Sequence, residues 1–325
     1  MNGPGQIITF YSYKGGVGRS MAVANVGTLL ARGSQPDRVL LVDWDLDAPG
    51  LIEFFREKTR GRSSGEGGLL EYFQEVRRTL HRRKSLYQEL VESAEALDDA
   101  VPLKSYVRRD VLPGLDLLAA AAAGADCRRM VAEFDWAVMW EKYPAVFRAF
   151  QELLEERYRF ALIDSRTGYN DTAGICTAIM PQKLVAVFTL NQQNLDGVID
   201  VVERSVKYRS ISDDVRPLAV FPLASRVENS ELKQQEVWLR RAEERFEKCF
   251  ARIYKARKCR LGDYFQDVLI PYIPYFAYGE KLVLLTEESR AGSMRRAYEV
   301  FASRLTELDY SWQRRDRADW PVVPA

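Results

Sequence analysis

Histidine is nearly absent from this sequence: His81 stands alone among 325 residues. A Ser-His-Asp triad would have to use it, and a site built from several histidines is excluded. Cysteine is scarce as well. Cys127, Cys176, Cys249 and Cys259 form no CxxC pair, so neither a zinc ribbon nor a disulfide framework is suggested, and dispersed thiols fit a reducing compartment. No run approaches the ~18 apolar residues that a membrane span needs. The start, Met-Asn-Gly-Pro-Gly-Gln, has no basic stretch followed by an apolar core, so no secretory signal is read and a cytoplasmic location is expected. Net charge is also missing. The 47 Lys and Arg against 46 Asp and Glu leave +1, and no global field draws the chain to nucleic acid or an anionic membrane.

What is present is an ordinary globular composition, 47% hydrophobic and 29% charged, in which wholesale disorder is excluded. Ile7 to Tyr13 is β-branched and aromatic, as a strand requires. Lys14-Gly15-Gly16-Val17-Gly18-Arg19-Ser20 is a glycine-rich loop. From Met21 to Arg32 the residues Val23, Val26, Leu29 and Leu30 recur at helical spacing, and Gly33-Ser34-Gln35-Pro36-Asp37 stops the helix. Val39 to Val42 reads as a strand buried on both faces. Residues of about 55–110 open on a loop, Arg62 to Gly68, and continue charged and helix-prone up to about Ala100, so they read as a helical insertion. The alternation returns with Leu115 to Leu118 and a small-residue stretch to Gly124. A helix around Phe147 to Leu154 follows, then strands at Phe160 to Ile163, Leu184 to Leu190, Leu218 to Leu223 and Val268 to Ile273. A last helix spans about Ser289 to Leu308. The expected fold is a three-layer α/β/α unit with a mostly parallel central sheet, one domain over 1–325.

Three features carry chemistry. Glycines 15, 16 and 18 let backbone N–H groups turn inward around an anion, with the positive end of the following helix behind them. Ser20 sits where a hydroxyl can ligate Mg2+, and Arg19 where a cation can reach the β- and γ-phosphates. Asp43-Trp44-Asp45-Leu46-Asp47 follows the second strand. Alternation places its three carboxylates on one side if the extended geometry persists, at the sheet edge where open α/β folds bind ligands. Asp164 ends the apolar run Phe160 to Ile163, before Ser165-Arg166-Thr167-Gly168.

The usual phosphate loop, G-x-x-x-x-G-K-[ST], fails twice, with Tyr13 in its first Gly position and Arg19 in its Lys position. The deviant form K-G-G-x-G-[KR]-[ST] fits. On these residues the chain resembles the MinD/ParA superfamily of deviant Walker ATPases over roughly 5–50 and 112–300, in the branch with Arg in the loop, KGGVGR. The resemblance implies that Lys14, Gly15, Gly16, Val17, Gly18, Arg19, Ser20 and Met21 hold ATP, with Ser20 on Mg2+ and Asp43 and Asp164 in the outer shell of the metal. It implies a catalytic role for Arg19, and that Asp45 orients the attacking water. Lys14 would cross to the phosphates of a second copy, so an ATP-dependent homodimer is expected. Ser225-Arg226 matches an Asn-Arg pair near the base, and Ile270-Pro271-Tyr272 matches an Ile-Pro segment near the adenine. An effector protein would read the nucleotide state. Arg166 stands where proline is common and is either a surface residue or one that senses phosphate or partner. A role for Asp47 is not implied.

Two basic clusters remain, Arg77, Arg78, Arg82, Arg83 and Lys84 in the insertion, and Arg252, Lys255, Arg257, Lys258 and Arg260. Glu71, Glu75 and Glu89 lie near the first, so a solvated helix face is expected. The mixed charges from Asp309 to Asp319 do not suit an amphipathic membrane anchor. DNA binding should therefore be weak at physiological salt and nearly equal with ADP and ATP, because each neutralised phosphate must come from these clusters. An anisotropy titration with random duplex at several salt concentrations checks this. Tight ATP-dependent binding lost on charge reversal at Arg82 and Arg83, or at Arg257 and Lys258, would contradict it.

Overall fold

The computed structural model describes residues 4–32, 38–56, 67–122, 127–212, 216–256 and 259–306. Its strands are β1 (Gln6–Ser12), β2 (Val39–Asp43), β3 (Arg108–Leu112), β4 (Leu115–Leu118), β5 (Phe160–Asp164), β6 (Lys183–Phe188), β7 (Ala219–Val227) and β8 (Leu269–Pro271). They form one sheet in the order β3-β4-β2-β5-β1-β6-β7-β8. Every pairing is parallel except β3 with β4.

The pleat divides the core. Val39 and Leu41 of β2 pack with Val23 and Val26 of α1 (Arg19–Ala31), whereas Leu40 and Val42 point to the other face, into the aromatic and aliphatic side chains of the insertion. The expected three layers are present. α1 and the helix Met294–Thr306 cover one face; the helices Leu69–Arg82 and Pro144–Arg157 cover part of the other.

The insertion is helical over Leu69–Arg82, Leu86–Glu92 and Glu95–Ala100. Leu69, Leu70, Tyr72, Phe73, Val76 and Leu80 form the buried stripe of its first helix. The Glu71 carboxylate accepts from the Gly68 N–H at 2.8 Å and the Ala122 N–H at 3.0 Å, fixing where that helix starts. The α-helices of the insertion end at Ala100, where the helix-prone stretch was expected to end, and its far end joins a strand, Arg108–Leu112, that the sequence reading did not include. Arg109 and Asp110 are exposed on this edge strand, and only Val111 and Leu112 are buried. Such an edge is a usual place for charge.

Other boundaries differ from expectation as well. β7 runs on to Val227 and so carries Ser225 and Arg226 itself. The last described helix begins at Met294 rather than about 289. Gly292 holds φ +79°, a left-handed turn before the helix, and the Ser293 hydroxyl accepts from the Arg296 N–H at 3.1 Å as an N-cap. Residues 33–37, 62–66, Gly124, Arg257, Lys258 and 307–325, among them Leu308 and the charged stretch from Asp309 to Asp319, lie outside the described residues. In the described part of the first basic cluster, Arg78 and Arg82 both pair with Glu75 and Arg83 pairs with Glu89. Arg252 of the second pairs with Glu203. No described helix is long and apolar enough to cross a membrane.

Lys183 opens β6 with its ammonium buried and donating to the Leu305 carbonyl at 2.5 Å, tying the sheet to the last turn of Met294–Thr306. Burial, with the nearby Arg159 charge, pushes its pKa down from an ordinary 10.5 to about 8. Between those values the unfolded chain holds a proton that the folded chain has released, so this group adds stability as pH rises. Urea unfolding of the parent and Lys183→Met should show a stability difference that shifts toward the parent from pH 8 to pH 10. A difference independent of pH would refute this.

Candidate functional site

β1 ends at Ser12, and the chain turns over the sheet edge through the glycine loop into α1. Gly16 and Gly18 take φ of +73° and +87°, backbone conformations that a side chain disfavours. A Cβ on Gly15 or Gly16 would meet no atom within 4 Å, so the loop is open to a ligand there. A Cβ on Gly18 would lie 3.0 Å from the Ser225 hydroxyl. Ser225 is buried, and Arg226 donates from Nη1 to the Gly16 carbonyl at 2.6 Å while its guanidinium lies 4.9 Å over the Tyr272 ring. The end of β7, the residue after Pro271 and the glycine loop thus meet. Lys14 is exposed, 5.7 Å over the Tyr13 ring, and joins no ion pair with a described residue. Ser20 and Met21 are half-buried on the first turn of α1.

Asp43 and Asp164 are paired in register on β2 and β5, both fully buried. Asp43 accepts from the Asp45 and Leu51 N–H groups, each at 3.2 Å. Burial first, and the Asp164 charge second, hold its carboxyl well above the usual carboxylate range. Asp164 Oδ2 is buried without a hydrogen-bond partner.

Arg19 departs from expectation. Its guanidinium does not project to the open side of the loop. Nε donates to Asp164 Oδ1, Nη2 to Asp45 Oδ2 at 2.7 Å, and Nη1 to the Ser12 hydroxyl at 3.3 Å. The reason is electrostatic: buried carboxylates at the strand ends need a counter-charge, and a forked donor serves two at once. Burial alone would lower the Arg19 pKa, but Asp164 and Asp45 outweigh it and raise it. Burial also raises the Asp45 carboxyl, with Arg19 acting against that. Asp47 leaves this group and pairs with Arg166 of the segment after β5.

No protein-family model matches the sequence, and no curated protein matches it. Solved structures do. The chain is similar to the septum site-determining protein MinD of Pyrococcus horikoshii complexed with Mg-ADP, with TM-score 0.60, 17% identity, and 93% of this chain and 96% of that one covered. An aspartate-to-alanine variant of McdA from Cyanothece complexed with ATP gives 0.59, 14%, 94% and 98%. A plasmid partition protein of Borrelia burgdorferi bound to AMPPNP gives 0.57, 17%, 91% and 96%. The fold is that of the MinD/ParA-type ATPases.

Within this MinD/ParA-type fold the residues present fit a metal-bound nucleotide. Among the described residues no group of three His, Cys, Asp or Glu side chains is arranged to hold a metal, so a cation would need oxygens from a ligand. The Ser20 hydroxyl and the orphaned Asp164 oxygen are polar groups such a cation could use, and the open loop at Gly15 and Gly16 leaves room for a ligand that brings the rest. A cavity of about 520 Å³ lined by Trp140, Tyr169, Ile175 and Tyr208 includes no residue of the glycine loop.

Sequence reasoning missed two supports of the site. Trp44 points away from its flanking aspartates into a buried nest of Phe73, Trp136 and Phe150 at centroid distances of 5.7, 5.3 and 6.2 Å. Tyr13, noted only as a departure from the loop pattern, stands edge-on to Tyr169 at 5.6 Å, and Tyr169 donates to Asp200 of the helix Gln192–Ile211. Only a glycine in that helix makes room. A Cβ at Gly197 would lie 2.2 Å from Tyr13 Cγ. Gly197→Ala should cost about 1–3 kcal/mol by overpacking, yet cost nothing or stabilise in a Tyr13→Gly background, where helix propensity alone remains. Urea unfolding of both singles and the double decides; equal costs in the two backgrounds would refute the contact.

Proposed function

We propose that this chain is a cytoplasmic, Mg2+-dependent switch that binds and hydrolyses ATP, closes into a homodimer around two nucleotides, and signals to a partner protein, in a bacterial defence or stress system. The observation that carries the reading is one convergence at the sheet edge. The open backbone at Gly15 and Gly16, the Ser20 hydroxyl, and the registered pair Asp43 and Asp164 all meet there. The nucleotides in the three similar structures, ADP, ATP and AMPPNP, support adenine.

Mg2+ bound with the nucleotide supplies positive charge at the β- and γ-phosphates. Ser20 would ligate it, while Asp43 and Asp164 hold its outer shell. The loop N–H groups bind phosphate oxygens at the positive end of α1. Ser225, Arg226 and Pro271 form the base side. Asp45 orients the attacking water, and Lys14 reaches the partner's phosphates as a charge supplied in trans. Its exposure and the absence of an ion pair with any described residue support that reach. The Arg19–Asp45 pairing favours a second reading, a nucleotide-binding scaffold with little hydrolysis, because it occupies two of the three proposed catalytic groups. A DNA or cargo partition role is the third. The pairing of Arg78, Arg82, Arg83 and Arg252 with glutamates weighs against it.

Size-exclusion chromatography with light scattering, run with ADP and ATP, tests the dimer. The parent should dimerise with ATP, Lys14→Ala should stay monomeric while still binding nucleotide, and Asp45→Ala should remain dimeric because water positioning serves only the transition state. An unchanged ATP dimer in Lys14→Ala refutes the trans role. Asp45→Ala turning over at the parent rate refutes the water assignment, and a parent that binds ATP without turnover establishes the scaffold reading.

A further inference from the structure

The opposite edge of the sheet gathers four cations that are far apart in the sequence. β2 begins directly after Arg38, and β5 begins shortly after Arg157 and Tyr158. With Lys104 and with Arg109 of β3, these residues line a cavity of about 360 Å³. β2 and β5 have five residues each, so ~16 Å of strand separates this edge from the one that carries Asp43 and Asp164. Two of the four cations are fixed from behind. Arg157 donates from Nη1 and Nη2 to the two oxygens of Asp98, at 2.9 and 2.5 Å, and Asp98 also accepts from the Leu103 N–H at 2.8 Å. Burial alone would raise the Asp98 carboxyl, but Arg157, the Leu103 N–H and the Lys104 charge hold it below the usual range. Arg38 donates from Nη2 to Asp116, a fully buried carboxylate. Asp116 also accepts from the Tyr158 hydroxyl at 3.1 Å and the Asp110 N–H at 2.9 Å. The last bond pins a bulge. Four residue steps of β3, Arg108 to Leu112, face two of β4, and Asp110 takes φ +50°. Bulges re-aim side chains, and Arg109, beside this one, lines the cavity.

Asp98 and Asp116 balance Arg157 and Arg38. Lys104 and Arg109 are exposed and form no ion pair with a described residue, so two positive charges at the cavity are unspent. Two such charges beside two oriented guanidiniums match a dianion, and guanidinium forks suit phosphate oxygens. The rest of the lining is apolar, from Leu103, Val107 and the Tyr158 ring. The volume falls at the small end of ligand pockets, which run to roughly 300–1,000 Å³. A concavity of that size suits a small molecule, whereas a nucleic-acid backbone is tracked along an extended groove. We infer that this cavity is a second ligand site, separate from the glycine loop, which takes the phosphate monoester of a small organic molecule. Lys104 and Arg109 supply its charge, Arg38 and Arg157 supply directed N–H donors, and the apolar wall receives the organic part.

The test is calorimetric titration of the full chain with phenyl phosphate, in saturating Mg-ADP so that the glycine loop is not the site read. The parent should bind one equivalent. Lys104→Gln combined with Arg109→Gln should bind ~10-fold or more weakly, the size that losing charge-assisted hydrogen bonds gives. Both side chains are exposed, so the double variant keeps the fold. Arg82→Gln combined with Arg83→Gln removes the same charge from another surface and should match the parent. Inorganic phosphate, which has no apolar part, should bind the parent ~10-fold more weakly than the ester, as partial burial of a ring implies. A parent that does not bind phenyl phosphate overturns the site, and so does an equal loss in the two double variants. Inorganic phosphate bound as tightly as the ester overturns the organic ligand. Random duplex DNA that binds the parent and is lost in the Lys104 and Arg109 double variant, with no binding of phenyl phosphate, overturns the small molecule in favour of a nucleic-acid backbone.

Discussion

Negative charge held at the carboxyl ends of two neighbouring buried strands is the constraint on which this site depends. The parallel register of β2 and β5 sets Asp43 directly beside Asp164, and Asp45 follows two residues on. Like charges at that spacing, away from water, do not coexist without compensation. The protein answers in two ways. The Asp43 carboxyl is pushed toward its neutral form and accepts two backbone N–H bonds. The Arg19 fork neutralises the other two. Every contact that fixes the strand ends therefore also fixes the electrostatics of the site.

Two packing arrangements do that fixing, on opposite sides of the carboxylates. Trp44 alternates with Asp43 and Asp45, so the pleat sends its ring into an aromatic nest made by Phe73 of the insertion with Trp136 and Phe150, while the carboxyls face the glycine loop. The insertion is thereby a structural backing for the site, and its outer charges are a solvated face. Tyr13 does the corresponding work at the loop. Its ring fills the place left by Gly197 and touches Tyr169, which extends the loop's contacts into the segment after β5 and on to the helix Gln192–Ile211. The same helix is joined to the turn Ile175–Ile179 by the bond from Ser205 to Thr177 at 3.1 Å and by Arg209 donating to the Ala178 and Ile179 carbonyls. A displacement of the loop would act directly on this connected set of elements.

The elements legible in the sequence were those whose signal is local. The alternation of apolar runs with helical periods, the glycines of the loop, and aspartates ending apolar runs each depend on a few consecutive residues, and their chemistry is set by backbone geometry that those residues alone impose. The sheet edge was harder, because Arg108–Leu112 is a strand only by pairing with Leu115–Leu118, and pairing is not written in one segment. Ser225 and Arg226 were visible as a motif, but that they lie on β7 and that Arg226 closes onto Gly16 were not.

Arg19 shows where the boundary falls. The sequence by itself determined that a cation follows Gly18, that three carboxylates lie at 43, 45 and 164, and that the loop can cradle an anion, since residue identity and local backbone fix each of these. Which of its possible partners the cation takes was decided only by the tertiary structure. The parallel register brings residues 45 and 164 within reach of residue 19, 26 and 145 positions away in the chain. Burial there makes a counter-charge for those carboxylates worth more than exposure of the guanidinium to solvent.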